Sequence, residues 1–272
     1  CPDLIYLCFC CSSLEFVYDS MMELRKAGVH VPFVWHLKEG PQLCMRFGTW
    51  PKLMELYELS AGNIITNRRT KEWYDLFLPT GKPYLILDQE MPKKEYFERP
   101  FSPKISASDG EIHTVVIGRM IGISVEDMRR LAAHRIHVHL YSASYYRQKN
   151  TGNNLYGRVA QGYFHVHAYC PNEKWVEEFS RYDAGWLHAG HSRNRGDLFR
   201  AMWDDLNIPA RVGTLAAAGL PMILRRNTEH IVASKELSEQ YGIGILYDSI
   251  TELATQLHDK DFMDILKRNM QE

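Results

Sequence analysis

The stretch "NIPARVGTLAAAGLPMI", Asn207 to Ile223, opens on a polar Asn-Ile-Pro, carries a single arginine, runs through small residues and closes on Gly-Leu-Pro before an apolar run. A helix so short of large side chains packs closely on a sheet, and Gly219-Leu220-Pro221 then turns the chain into a buried strand. Where the first turn of such a helix faces a ligand, its unpaired N–H groups and positive dipole end form an anion site, and Arg211 adds a forked cation suited to phosphate oxygens. The segment therefore predicts a helix of a parallel sheet, Pro209 to Ala218, whose front end binds a diphosphate.

Outward from this segment, strand-length apolar runs alternate with stretches of helical period, the βα rhythm of a parallel sheet covered on both faces. Strands are expected at Leu4 to Phe9, Val31 to Trp35, Asn63 to Thr66 and Tyr84 to Leu87, with helices at Leu14 to Ala27 and Lys52 to Ser60. "KKEYFERPFSPKISASDGE", Lys93 to Glu111, has no periodicity and reads as a linker or crossover. A second series follows, with strands in "HTVVIG", "IHVHLYS", "YFHVHAYC", "AGWLHAG", "PMILRR" and "GIGILYD". Its helices are Val125 to His134, Asn172 to Ser180, Pro209 to Ala218, Ile231 to Tyr241 and Ile250 to His258. The expectation is an α/β fold of two Rossmann-like lobes, 1–108 and 109–272, the first with four strands where a full lobe has about six. A ligand is expected between them, at the carboxyl ends of the strands.

Bulk properties narrow the partners. The 32 basic and 33 acidic residues leave a formal net charge of -1, so no global field recruits nucleic acid and any anion is bound locally. The apolar runs fall short of the roughly 18 residues that span a bilayer, which leaves only peripheral membrane contact open. Six cysteines without a repeated CxxC spacing suit a reducing cytoplasm better than a disulfide scaffold. No G-x-S-x-G, GxxxxGK[ST] or G-x-G-x-x-G motif occurs, which speaks against a serine hydrolase, a P-loop protein and a dinucleotide oxidoreductase.

A second cation points to the same place as Arg211. "VVIGRM" sets Gly118 and Arg119 directly after a strand, where glycine permits close backbone approach to a ligand. Together, "RYDAGWLHAG...NIPARVGTLAAAGLPMI", the preceding "HTVVIGRM" and the following "GIGILYDSITELATQL" resemble the donor-binding half of GT-B glycosyltransferases of family 4. The shared pattern is N-x-P-x-[K/R]-x5-A-A-G-x-P. In the first lobe, "VPFVWHLKEGP", "LYELSAGNIITNRRTKEWY" and "KPYLILDQEMPKKEYF" are similar to the later part of the acceptor lobe, while the glycine-rich first loop has no counterpart.

The resemblance implies a hexosyltransferase of glycan biosynthesis, retaining and metal-independent, that moves a sugar from a nucleotide-sugar donor to a glycan, lipid-linked or protein acceptor, with no cofactor beyond the donor. Arg119 and Arg211 would neutralise the diphosphate, and N–H groups around Pro209 to Gly213, with Val212 and Thr214, would hold its oxygens. His36 would contact the transferred sugar or acceptor. Ser142, with Tyr141, Tyr169 and Cys170, would lie near the base and ribose. His188 opens the long segment "HAGHSRNRGDLFRAMWDDLN", expected to carry specificity, and Asn207 at its end could cap the helix. Two departures stand out: Leu206 and Thr214 occupy the places of the family's E-x7-E glutamates, and no lysine follows Gly118-Arg119 within a few residues. They support an alternative, a catalytically degenerate subunit that binds a nucleotide or a partner. The pairs His137/His139 and His165/His167 invite a metal reading, but without a third ligand at a recognisable spacing they read as one polar face of a sheet, and no metal site is expected.

Overall fold

The computed structural model describes residues 2–87, 92–148 and 155–272; part of the "KPYLILDQEMPKKEYF" stretch lies outside them. The chain divides into two compact units. One comprises 1–89, 192–208 and 229–233, the other 90–191, 209–228 and 234–272. Both are α/β with all-parallel, Rossmann-like sheets, the fold class expected from the sequence.

The first unit holds a four-stranded sheet in the simple order β1 (Ile5–Phe9), β2 (Phe33–Leu37), β3 (Gly62–Ile65), β4 (Tyr84–Ile86). Its core is aromatic: fully buried Trp35 meets Phe9, Tyr57 and Tyr74 edge to face, an arrangement that gains from ring quadrupoles beyond the area removed from water. The segment 192–208 belongs to this unit because it supplies core side chains. Leu206 and Ala201 are buried in the aromatic cluster, and Asn67 donates from its side-chain amide to the Leu206 carbonyl at 2.7 Å while capping the helix Arg68–Tyr74.

The second unit is a six-stranded sheet. β5 (Ile112–Ile117), β6 (Ile136–Tyr141), β7 (Phe164–His167), β8 (Ala184–Trp186), β9 (Met222–Arg225) and β10 (Gly244–Tyr247) pair in the order β10-β9-β8-β5-β6-β7. The chain starts in the middle, winds outward through β6 and β7, then returns to the other side of β5 at β8. This doubly wound order reverses between β5 and β8, the switch point at whose carboxyl ends such sheets bind ligands. The segment expected as a linker is an ordered arm of this unit: Ser102 N–H bonds the Ser180 hydroxyl at 2.8 Å, Ile105 N–H bonds the Arg181 carbonyl at 2.9 Å, and a short helix Ser106–Asp109 leads into β5.

Close approach explains two glycines. A Cβ on Gly185 of β8 would sit 2.3 Å from a Leu215 methyl, so the helix Arg211–Ala217 lies directly on the strand, as the small residues of the segment demand. That helix begins two residues later than expected, because Pro209 and Ala210 form a turn in which the Pro209 carbonyl accepts the Val212 N–H at 2.9 Å. Gly122, at φ +80°, lies where a Cβ would be 2.1 Å from the Ala189 carbonyl carbon. There the loop after β5 presses on the loop after β8, and Ala189 N–H bonds the Ile121 carbonyl at 3.0 Å, which ends β8 earlier than its apolar run suggests.

Gly122→Ala should therefore lower stability by about 3 kcal/mol through backbone collision and left-handed strain, while Gly48→Ala, at φ +72° with open space around it, should cost about 1 kcal/mol. Urea midpoints of the two variants check the difference.

Candidate functional site

The carboxyl ends of β5 and β8 are held together by one side chain. Arg211, the first residue of its helix, is 9% exposed and donates from Nη1 to the Trp186 carbonyl at 3.3 Å and from Nη2 to the Arg119 carbonyl at 2.9 Å. The guanidinium thus bridges the two loops of the switch point. Burial, and then the neighbouring charge of Arg119, bring its pKa down to about 10, so it remains a cation at neutral pH. Among the described residues no carboxylate pairs with it. A buried cation beside a second cation, with only carbonyls for compensation, leaves positive potential that an anion would relieve.

The structure brings several expected residues to this edge. Gly118, exposed at φ +91°, follows β5, and the ideal position of a Cβ there lies 3.7 Å from Arg211 Nη2. Arg119 is exposed, and His188 is half-buried just past β8. Val212, Gly213 and Thr214 are buried in the first turns of the helix, and the Val212 N–H is already committed to Pro209. Ser142 directly follows β6, its hydroxyl 3.1 Å from that of Ser144. Asn207 does not cap the helix: the N-cap is Ala210, which makes no side-chain cap, and Asn207 instead closes the preceding helical turn Trp203–Leu206 in the first unit. His36, also of the first unit, is 5% exposed near the end of β2, its Nδ1 2.6 Å from the Tyr6 hydroxyl.

Sequence reasoning misses Arg225. It is 8% exposed at the end of β9, donates from Nε to the Ala189 carbonyl at 3.0 Å, reaches Asp127 at 3.3 Å and lies over the Tyr247 ring. Its signal is an arginine closing a fully apolar strand, a place where a charge persists only with partners.

The histidine pairs share one face of the sheet, as the i, i+2 spacing requires, and β5 adds His113. Parallel register sets His113 beside His137 and His139 beside His165. The rings form two hydrogen-bonded files. One runs Asp109–His113–His139–His167 with successive contacts of 2.9 Å; the other runs Glu111–His137–His165 at 2.8 and 2.9 Å. Burial first, then mutual repulsion with the other rings, lowers the pKa of His139 to about 2 and of His165 to about 4, which keeps both neutral.

No protein-family model matches the chain, and comparison with curated proteins gives no match. Solved structures do resemble it. Sucrose-phosphate synthase from Thermosynechococcus elongatus superposes with a TM-score of 0.65 at 10% identity, covering 99% of this chain and 68% of that one. UGT2 of Phytolacca americana, solved with UDP-2fluoro-glucose and pterostilbene, gives a TM-score of 0.51 at 10% identity, covering 95% of this chain and 74% of the other. The likeness is one of fold, that of GT-B glycosyltransferases.

The imidazole files predict acid sensitivity. An unfolded histidine takes up its proton near pH 6.5, whereas His165 and His139 resist it until about 4 and about 2, so the unfolded chain binds more protons in between. Stability should be fully present above pH 6.5 and decline as pH falls toward 4. Denaturant midpoints in chelator-containing buffer from pH 8 to pH 4 check the slope, which a His165→Gln variant should flatten.

Proposed function

We propose that this chain transfers a sugar from a nucleotide-sugar donor to an acceptor hydroxyl, with the donor diphosphate bound at the switch point of the second unit. The observation that carries this reading is the uncompensated Arg211 guanidinium beside Arg119, at the edge where a doubly wound sheet binds ligands. Support comes from the GT-B fold and from the nucleotide sugar, UDP-2fluoro-glucose, complexed with the Phytolacca americana enzyme.

In this reading the bond between the anomeric carbon and the diphosphate oxygen breaks as the acceptor oxygen bonds to that carbon. Negative charge grows on the leaving diphosphate, and the two cations stabilise it there, Arg211 from a side chain already held by two carbonyls. Exposed Arg119 meets the phosphates directly. Arg211 acts from behind, holding the Arg119 backbone and adding field. Turnover then needs no divalent ion at the diphosphate, since the guanidinium groups supply the charge a metal would. Attack from the face the nucleotide leaves retains the anomeric configuration, and the departing phosphate takes the acceptor proton. His36 serves the sugar or acceptor, and Gly118, Ser142 and His188 line the nucleotide side.

A second reading has its own observation. Thr214 and Leu206, in place of the two glutamates, are both buried, so no carboxylate stands there to receive a ribose. A nucleotide-binding subunit without turnover fits that change.

Thermal scans with UDP, GDP and ADP and their sugar conjugates, followed by assay of nucleotide release, separate the readings. Turnover requires stabilisation by a nucleoside diphosphate together with release from its sugar conjugate; stabilisation alone indicates the binding subunit; no response to any diphosphate defeats both. Arg119→Gln, at an exposed position, should weaken diphosphate affinity about tenfold, roughly 1.4 kcal/mol, with little change in melting temperature. His36→Ala should lower turnover and leave nucleotide affinity in place.

A further inference from the structure

The two imidazole files carry more order than a polar sheet face needs. A carboxylate only accepts, so Asp109 Oδ2, 2.9 Å from His113 Nε2, and Glu111 Oε2, 2.8 Å from His137 Nε2, place a proton on each Nε2. With that proton on Nε2, each ring turns Nδ1 toward a neighbouring imidazole as the acceptor. His113 Nδ1 is 2.9 Å from His139 Nε2, and His137 Nδ1 is 2.9 Å from His165 Nε2. The rings of His113 and His137 stack with centroids 4.2 Å apart and planes 1° apart, while His139 is tilted by 41° and 40° to them.

A histidine whose far nitrogen is fixed on a carboxylate is the arrangement that orients metal ligands and raises their basicity. Here it occurs twice, side by side. One donor atom from each of His113, His137 and His139 falls within a set whose members all lie within 4.8 Å of one another. Tetrahedral zinc with bonds of about 2.0–2.1 Å needs nitrogens roughly 3.4 Å apart, so His113 Nδ1 and His139 Nε2, 2.9 Å apart, must open slightly while the wider separations, all within 4.8 Å, close.

We propose that His113, His137 and His139 bind one divalent transition-metal ion of the zinc class on the shared face of β5 and β6. Imidazole nitrogens suit zinc, copper and nickel, and the fourth position falls to water or to His165. Asp109 and Glu111 bring two negative charges behind two of the ligands, which offsets the charge of the ion in a half-buried site. No proton need be lost. His139 shifts its proton from Nε2 to Nδ1 and donates it to His167 Nε2, 2.9 Å away, and His167 then carries its own proton on Nδ1. The ion ties adjacent strands of the sheet together. Its site is set apart from the diphosphate edge: His113 lies five residue steps, roughly 16 Å of extended chain, before Gly118, and His139 pairs with Val115, three steps or roughly 10 Å before it. The inference therefore stands independently of the nucleotide reading.

The full chain, stripped with chelator and desalted, is titrated with Zn2+ and with Co2+. Expected are one ion per chain, intense visible bands from tetrahedral Co2+, and a melting temperature that rises with Zn2+ concentration. Glu111→Gln should weaken binding about 10- to 100-fold and His137→Gln at least about 100-fold. Because His137→Gln can disturb folding, ring-nitrogen chemical shifts of the unmodified chain provide a second readout, with His113 and His139 moving on metal addition. No binding overturns the proposal. So does binding that both variants leave unchanged, which would put the ion on other histidines, or a titration that leaves the ring-nitrogen shifts of His113 and His139 where they were.

Discussion

The guanidinium of Arg211, bonded to the Trp186 and Arg119 carbonyls, is the constraint around which the second unit is arranged. A doubly wound sheet opens at its switch point because consecutive loops leave in opposite directions. Left alone, the carbonyls at those strand ends would need water. Arg211 satisfies two of them with one planar group, the Ala189 N–H takes a third from Ile121, and Arg225 takes the Ala189 carbonyl in turn. The two loops are tied to each other as a result, and Gly122 is the position where they leave no room for a side chain. The same bonds leave the charge of Arg211 unmatched. A hydrogen-bonded carbonyl lowers the cost of burying a cation but does not neutralise it. Structural service and electrostatic readiness for an anion are thus two consequences of one placement.

Two kinds of basic side chain stand on the second sheet. At the carboxyl edge of β5 and β8 stand guanidinium groups, whose charge persists at any physiological pH. On the face shared by β5, β6 and β7 stand imidazoles, of which His139 and His165 are held neutral by burial and by the neighbouring rings. The arm from residue 92 to 111 serves the second of these regions. It docks on the end of the helix Trp175–Phe179 and delivers Asp109 and Glu111 to the head of the two files. A segment without periodicity is ordered here by bonds to its neighbours rather than by a face of its own.

Much of this is legible in the sequence, for reasons that are local. Apolar runs in β5, β9 and β10 and the small residues from Gly213 to Gly219 report burial and close packing directly, and the parallel sheets follow from such runs. Gly118-Arg119 and Arg211 can be paired from the sequence because each sits at a strand end or helix start. What escapes depends on register and distant contact. "AGWLHAG" suggests a longer strand than β8 because Ala189 turns to pair with Ile121, a partner the local pattern does not contain. The segment 192–208 resembles a loop since its buried apolar residues Ala201 and Leu206 are too few to show a period, yet they complete a core built mostly from residues before 90. His113 stands alone in its own strand, and only the pairing of β5 with β6 sets it against His137 as a third ring beside the HxH pairs.

The polar face of the second sheet follows from the direction of its hydrogen bonds. In a sheet covered by helices, apolar side chains of similar volume would serve stability as well as a buried polar network or better, because they carry no desolvation cost. The imidazoles of His113, His137, His139, His165 and His167 can be tolerated there only if every contact between rings has one proton and one acceptor. A file of identical rings has two equivalent directions, and nothing in the rings chooses between them. Asp109 and Glu111 remove that degeneracy: by accepting at one end they force each proton along the file to point the same way. The sheet thereby acquires a defined set of bare nitrogens, and the two charges that define them sit where a cation would need them. Packing alone has no use for such polarity, whereas an ion would find the Nδ1 lone pairs of His113 and His137 already set and would need only the His139 proton to move.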